Sequence, residues 1–116
     1  MNERLARKLT ILNKYGIYAR SSALLVKTAA KAGPNTEVTV TCEGTTVSCK
    51  SIMGLLTIEG YQGRELLVEA RGPEARAVLE AITELVNLGF LSGEPCLPIP
   101  PSHSEFVDLS AEPEQA

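Results

Sequence analysis

Residues 37–50 alternate between apolar and polar side chains, which is the period of a strand with one buried face. The stretch divides at Glu43-Gly44, a pair suited to a two-residue turn because glycine tolerates positive φ. If Cys42 pairs with Thr45, then Cys49 lies opposite Val38. One face of the hairpin then carries Val38, Val40, Cys42, Val47 and Cys49, and the other carries threonine, serine and charged side chains. A sheet with one polar face buries the other under helices, which predicts an antiparallel two-layer α+β sandwich.

The rest of the first 89 residues supplies the other layers. Apolar residues recur at helical spacing over 19–32, and Gly33-Pro34 ends that pattern. We predict a first strand at about 7–13, a short helix over 51–57 and a fourth strand around 66–70. Gly72-Pro73-Glu74 then opens a long helix with the apolar stripe Ala75, Val78, Leu79, Ile82, Leu85 and Val86.

Charge separates the chain into two regions. Residues 1–89 hold all 11 Lys and Arg and 9 of the 14 acids, a net charge of +2, whereas residues 90–116 hold 5 acids and no Lys or Arg. Without a dense basic face, nucleic acid is not an expected partner. The later region is rich in proline and too poor in apolar surface to order itself. We predict a domain over 1–89 and a disordered tail over 90–116 with His103 solvated; the alternative is a docking peptide or a flap over the chain's own domain.

Cys42, Cys49 and Cys96 are an odd number of cysteines without C-x-x-C spacing, which argues against a zinc site or a redox pair. In the hairpin register, Cys42 and Cys49 lie too far apart for the ~7 Å reach of a disulfide, so both are expected to be small core residues. No apolar run approaches the about 20 residues of a membrane span. The sequence predicts a cytoplasmic protein with no membrane association, metal or cofactor.

Two short motifs carry a resemblance to a known family. Gly16 to Ser22 reads G-I-Y-A-R-S-S and leads into a helix, and Cys49 to Gly54 reads C-K-S-I-M-G. In this order and at this separation they closely resemble HPr, the small phosphocarrier of the bacterial sugar phosphotransferase system, over about residues 7–89. The resemblance implies the HPr-like fold, a four-stranded antiparallel sheet with three helices on one face in the order β-α-β-β-α-β-α.

Tyr18 falls where the resemblance places the phosphate-accepting histidine, with Arg20 at the neighbouring arginine and Ser21 at the following proline. A helix start and an arginine favour an anion, so these residues are expected to form a degenerate anion or partner site. The nucleophile is lost, because a phenol with a pKa near 10 is protonated at pH 7 and its phosphate ester has a low transfer potential. Serine in place of proline is expected to make the loop less rigid.

Ser51 falls at the regulatory serine of HPr. Taken from the residues alone, it is a helix N-cap worth about 1 kcal/mol. The resemblance implies phosphorylation by HPr kinase/phosphorylase, as in HPr and its histidine-less relative Crh, which adds a charge of about −1.5 to −2. Ile52, Met53 and Leu55 are expected to form a partner surface beside that charge, with Met53 the exposed and adaptable residue.

The leading interpretation is a regulatory, non-catalytic HPr-like protein comparable to Crh, in which phosphorylation of Ser51 tunes binding to a transcriptional regulator or metabolic enzyme. One alternative is a phosphocarrier with an unusual acceptor residue. Another is an unmodified protein-interaction module whose tail docks a partner. Residues 1–89 hold no histidine, no paired nucleophile and base, and no glycine-rich phosphate loop, so an enzyme is not expected.

Overall fold

The computed structural model describes residues 3–109. In that range the chain forms β1 (Glu3–Thr10), α1 (Ala19–Ala30), β2 (Glu37–Cys42), β3 (Thr45–Ser48), α2 (Ile52–Thr57), β4 (Glu65–Gly72), α3 (Ala75–Asn87) and β5 (Val107–Asp108), with 3₁₀ turns at Gly89–Leu91 and Pro101–Ser104. The three predicted helices are confirmed to within a few residues. The first strand begins and ends earlier than the predicted 7–13.

The strands form one antiparallel sheet in the order β3-β2-β4-β1-β5. The predicted hairpin register is confirmed, because Cys42 pairs with Thr45 and the Cys49 N–H donates to Val38 O at 2.8 Å. Cys42 and Cys49 are buried free thiols, as expected. The predicted count of four strands was wrong by one, since the two-residue β5 adds to the edge of β1.

The apolar face of the sheet and the helices enclose one core. Alternate residues of β4 point into it, and Leu66, Val68 and Ala70 are each no more than 1% exposed. Each large aliphatic side chain buried in this way contributes roughly 1.5–3 kcal/mol. The stripe predicted on α3 is confirmed as Ala75, Val78, Leu79, Ile82 and Val86, with Leu85 half-buried at its edge.

The segment after α3 packs against the domain instead of forming the predicted disordered tail. Phe90 is fully buried, the Leu97 N–H donates to Leu12 O at 2.9 Å, and the Leu109 N–H donates to Arg4 O at 2.8 Å. This corrects the prediction for residues 90–109, while 110–116 lie outside the described residues. The prediction from composition was wrong because backbone hydrogen bonds to an open sheet edge hold much of the segment in place. Such hydrogen bonds need little apolar surface.

His103 is buried rather than solvated, which is a second correction. Its side chain is 2% exposed; Nε2 accepts the Thr10 N–H at 2.8 Å, and Nδ1 lies 2.6 Å from Asn87 Oδ1. Because Nε2 accepts a hydrogen bond, the ring is neutral and its proton is on Nδ1, donated to Asn87. Burial, and after it the charge of Arg7, lowers the pKa of His103 below its ordinary value.

Arg7 is a buried cation that ties the same segment to α3. Its guanidinium stacks on the Phe106 ring at 3.9 Å from the ring centroid. Its hydrogen-bond acceptors are Glu80 Oε1 at 2.8 Å, Thr83 Oγ1 at 2.9 Å and the backbone oxygen of Glu105 at 3.2 Å. These partners offset the cost of taking the charge out of water, so Arg7 joins β1, α3 and the C-terminal segment.

Lowering the pH from about 7.5 to about 5.5 is expected to destabilise the protein through His103. The unfolded chain takes up this proton near pH 6.5, whereas the folded ring takes it up only at lower pH. The unfolded state therefore holds more protons in this window, and stability falls as the pH falls. One group lowers the free energy of unfolding by at most about 1.4 kcal/mol per pH unit, measured by urea unfolding with circular dichroism.

His103→Gln is the matched control, because His103 is the single histidine of the chain. The charged groups that line the same cleft, Arg7 from β1 and Glu80 and Glu84 from α3, are unchanged in this variant. The variant should lose less stability than the wild type between the two pH values. An equal loss in the two proteins would contradict the role given to His103.

Candidate functional site

Two glycines shape the loop that leads into α1. Gly16 has a φ of +66°, and a Cβ at this position would collide with the backbone oxygen of Gly60. The Ile17 N–H donates to the same oxygen at 2.8 Å. This close approach, which only glycine permits, sets the path of the loop so that Tyr18 becomes the N-cap residue of α1.

Ser21 makes two hydrogen bonds within this loop, and the lower rigidity expected from serine in place of proline stays a prediction. Its hydroxyl accepts the Tyr18 N–H at 2.8 Å and lies 2.9 Å from Gly16 O, to which it can donate. The side chain is fully buried. A capping box consists of two reciprocal hydrogen bonds. Ser21 supplies one of them, in which the third helical residue accepts from the backbone N–H of the N-cap residue.

The Tyr18 phenol donates to Glu94 Oε2 at 2.8 Å. The hydrogen bond to Glu94, followed by desolvation and the charge of Glu94, raises the pKa of Tyr18 above its ordinary value, although Arg20 acts in the opposite direction. The phenol is therefore even less available as an oxyanion than a free tyrosine. Glu94 lies in the segment predicted to be a disordered tail, and nothing in its local sequence points to Tyr18.

Glu94 uses both carboxylate oxygens at this site. Oε1 accepts the Tyr15 N–H at 2.7 Å and an Asn13 Nδ2–H at 3.2 Å. Desolvation acts to raise the pKa of Glu94, but hydrogen bonds from Ser92, the Tyr15 N–H, Tyr18 and Asn13 outweigh it and lower that pKa. An ionised carboxylate therefore lies where the sequence predicted an anion site.

Arg20 extends from the first turn of α1 to the same segment. Its Nη1 donates to Phe90 O at 2.5 Å and its Nη2 to Leu91 O at 3.3 Å. Tyr18, Arg20 and Ser21 all lie at the start of α1, and the anion or partner site expected there stays a prediction. The side-chain polar groups of Tyr18 and Arg20 are engaged by residues 90–94 of the same chain.

Ser51 is the N-cap of α2, as the sequence predicts. Its hydroxyl accepts the Gly54 N–H at 3.0 Å, and its backbone is extended with φ of −118°. Gly54 packs tightly on the hairpin, since a Cβ there would lie 3.0 Å from Val47 Cβ. Lys50 points elsewhere and donates from Nζ to Gly33 O and Thr36 O, both at 2.8 Å, which secures the loop after α1.

The residues predicted to form a partner surface divide between surface and core. Met53 is 75% exposed and Ile52 is 41% exposed. Leu55 is fully buried, which corrects its assignment to the surface, because the helix turns this position toward the sheet. Leu56, at 45% exposure, takes its place. We refer to Ile52, Met53 and Leu56 as the α2 patch.

Other kinds of site find no support within residues 3–109. In this range no three His, Cys, Asp or Glu side chains are grouped so that they could hold a metal ion. No helix among the described residues is long and apolar enough to cross a membrane.

Residues 5–87 match the family described as the PTS HPr component phosphorylation site. The chain belongs to the HPr family. It is 37% identical over 86 residues to the phosphocarrier protein HPr of Xylella fastidiosa strain Temecula1, covering 74% of this chain and 94% of the relative. The HPr of Neisseria meningitidis serogroup A is 34% identical over 90 residues, covering 78% of this chain and 99% of the relative.

Solved HPr structures share the fold. The crystal structure of HPr-C-His from Thermoanaerobacter tengcongensis superposes with a TM-score of 0.70 at 30% identity, covering 75% of this chain and 96% of that one. The predicted HPr-like α+β fold is confirmed. HPr proteins are phosphocarriers of the phosphotransferase system and interact with its other components, such as enzyme I and enzyme II.

We expect Glu94→Gln to lower the pKa of Tyr18 toward the ordinary value of about 10. The variant replaces an anionic acceptor, which stabilises the protonated phenol, by a neutral one. Titration of the tyrosine ring carbons by ¹³C NMR measures this pKa in the wild type and in the variant. An unchanged Tyr18 titration would mean that Glu94 does not contact the phenol in solution.

Replacing Ser51 by alanine should lower the free energy of unfolding by about 1 kcal/mol, because Gly54 N–H loses its acceptor. Ser51→Asp keeps an acceptor at the N-cap and should stay within about 0.5 kcal/mol of the wild type. Urea unfolding of the three proteins at one pH provides the comparison. Equal stability of the alanine variant and the wild type would rule out a stabilising cap.

Proposed function

We propose that this HPr-family protein is a regulatory, non-relaying variant comparable to Crh, phosphorylated on Ser51 by HPr kinase/phosphorylase. The observation that carries the proposal is the position of Ser51, a half-exposed serine at the start of α2, beside the exposed Met53. A kinase can reach this hydroxyl once its hydrogen bond to Gly54 opens. A phosphate added there meets backbone N–H groups of the first helical turn.

The proposal assigns no relay to Tyr18, at the position where the family carries histidine. A histidine is largely neutral and nucleophilic around pH 7, and its phosphoramidate passes the phosphoryl group onward readily. Tyr18 is a protonated phenol hydrogen-bonded to a carboxylate, and its pKa is raised further. A phosphotyrosine ester is a poorer donor than a phosphoramidate, so passing the group onward would be uphill. For the same reason we assign the chain no catalytic activity.

Phosphorylation would change the recognition surface without refolding it. The α2 patch presents exposed Met53, flanked by Ile52 and Leu56, next to a serine that gains a charge of about −1.5 to −2. A partner with a basic rim around an apolar cleft would bind the phosphorylated form more tightly. We propose a transcriptional regulator or a metabolic enzyme for this role, in the cytoplasm, where the kinase and ATP are available.

Incubating the purified protein with ATP, Mg²⁺ and HPr kinase/phosphorylase should place one phosphate on Ser51, located by intact-mass and peptide mass spectrometry. Ser51→Ala should take no label. Ser48→Ala is the matched control, because Ser48 is an exposed serine three residues away, and it should be labelled like the wild type. Failure to label the wild-type protein would overturn the proposed regulation.

A parallel reaction with enzyme I and phosphoenolpyruvate tests a second candidate function, a phosphocarrier with an unusual acceptor. Its support is the similarity to relatives that are named phosphocarrier protein HPr. The regulatory proposal expects no phosphate from this reaction. Label on Tyr18 would overturn the non-relaying role and favour the carrier.

A further inference from the structure

Residues 92–97, which we call the strap, lie across the loop that precedes α1. The Lys14 N–H donates to Pro95 O at 3.0 Å, and the Leu97 N–H donates to Leu12 O at 2.9 Å. Asn13 and Cys96 face each other as an antiparallel bridge pair. These backbone contacts hold the strap in register just after Glu94, so the position of its carboxylate is determined by the fold.

The turn before the strap has an unfavourable backbone conformation. Gly89, Phe90 and Leu91 all have positive φ, at 59°, 55° and 55°. This region is easily accessible to glycine but costly for leucine and phenylalanine, so surrounding contacts must maintain it. Burial of the Phe90 ring in the core and the hydrogen bonds from Arg20 to Phe90 O and Leu91 O are such contacts.

The polar groups gathered at the start of α1 are those that would receive an anion. They are the Tyr15 N–H, the Tyr18 hydroxyl and an Asn13 amide hydrogen, all of which donate to the Glu94 carboxylate. A carboxylate with donors on both oxygens is the arrangement by which proteins also hold a phosphoryl group. The site therefore already contains an anion, supplied by its own chain.

We propose that Glu94 is an internal occupant of the phosphoryl site, and that the strap closes this site against external phosphoryl groups. In the closed form a second anion would meet the charge of Glu94 at short range, and its donors would already be engaged. Opening the strap frees the Tyr15 N–H, the Tyr18 hydroxyl and, through the turn at 90–91, the Arg20 guanidinium. None of the hydrogen bonds described here between the strap and the loop before α1 involves Ser51, so the closure does not depend on its phosphorylation.

The contact predicts a measurable protection of one backbone amide. In the full-length wild-type protein, the Tyr15 N–H is hydrogen-bonded to a charged acceptor and should exchange slowly with solvent. Glu94→Ala removes that acceptor and should speed the exchange about tenfold or more, read by ¹⁵N NMR. Glu105→Ala is the matched control, because it removes one exposed acid from the same C-terminal segment. It should leave this rate unchanged.

Titration with inorganic phosphate tests the closure itself. Glu94→Ala should show saturable shifts of the Tyr15 and Tyr18 amides, with an affinity at least about tenfold higher than in the wild type and in Glu105→Ala. Equal phosphate affinity in Glu94→Ala and the wild type would overturn the proposal. So would Tyr15 exchange that is equally fast in all three proteins. Repeating the titration in the Ser51→Ala background should give the same result, which separates this outcome from that of the kinase experiment.

Discussion

Strand β1 has hydrogen-bonded neighbours on both sides, and the arrangement of the whole molecule follows from this. On one side it pairs with β4 along its full length, from Glu3 to Thr10. On the other side it receives the C-terminal segment through β5 and through the contact of His103 with Thr10. Without that segment, β1 would be an open sheet edge with unpaired backbone groups. Because Arg7 projects from β1 between α3 and the segment, one strand connects the sheet, the helical layer and the chain end.

The path of the segment after α3 toward β1 also determines which residues lie over the start of α1. After α3 the backbone turns through three residues with positive φ and passes the loop that the Gly16–Gly60 contact has shaped. Glu94 then meets Tyr18. In a histidine carrier this place calls for an exposed neutral imidazole that accepts and releases a phosphoryl group. Here it holds a protonated phenol hydrogen-bonded to a carboxylate of the same chain.

Local sequence patterns were sufficient to predict strand register, where apolar and polar side chains alternate, and to predict a helix N-cap. The register that places Cys49 opposite Val38 follows from period-two alternation, and the capping role of Ser51 follows from its place before a short helix. Leu55 was misjudged because a six-residue helix has too few turns to show which side meets the sheet. The prediction for His103 was wrong, and Glu94 was not identified, for another reason. Their partners, Thr10 and Tyr18, are more than 70 residues away in sequence, and composition carries no information about such contacts.

The sequence by itself determined the α+β layers, the order of the elements from β1 to α3 and the absence of a histidine from the first 89 residues, because periodicity, turn residues and side-chain chemistry are local properties. The tertiary structure alone decided that the acidic, proline-containing segment is part of the domain. It also decided that a carboxylate from this segment occupies the site beside Tyr18. The physical reason is that backbone groups of an open strand edge bind a passing segment largely irrespective of its side chains, and only the path of the chain brings the two together.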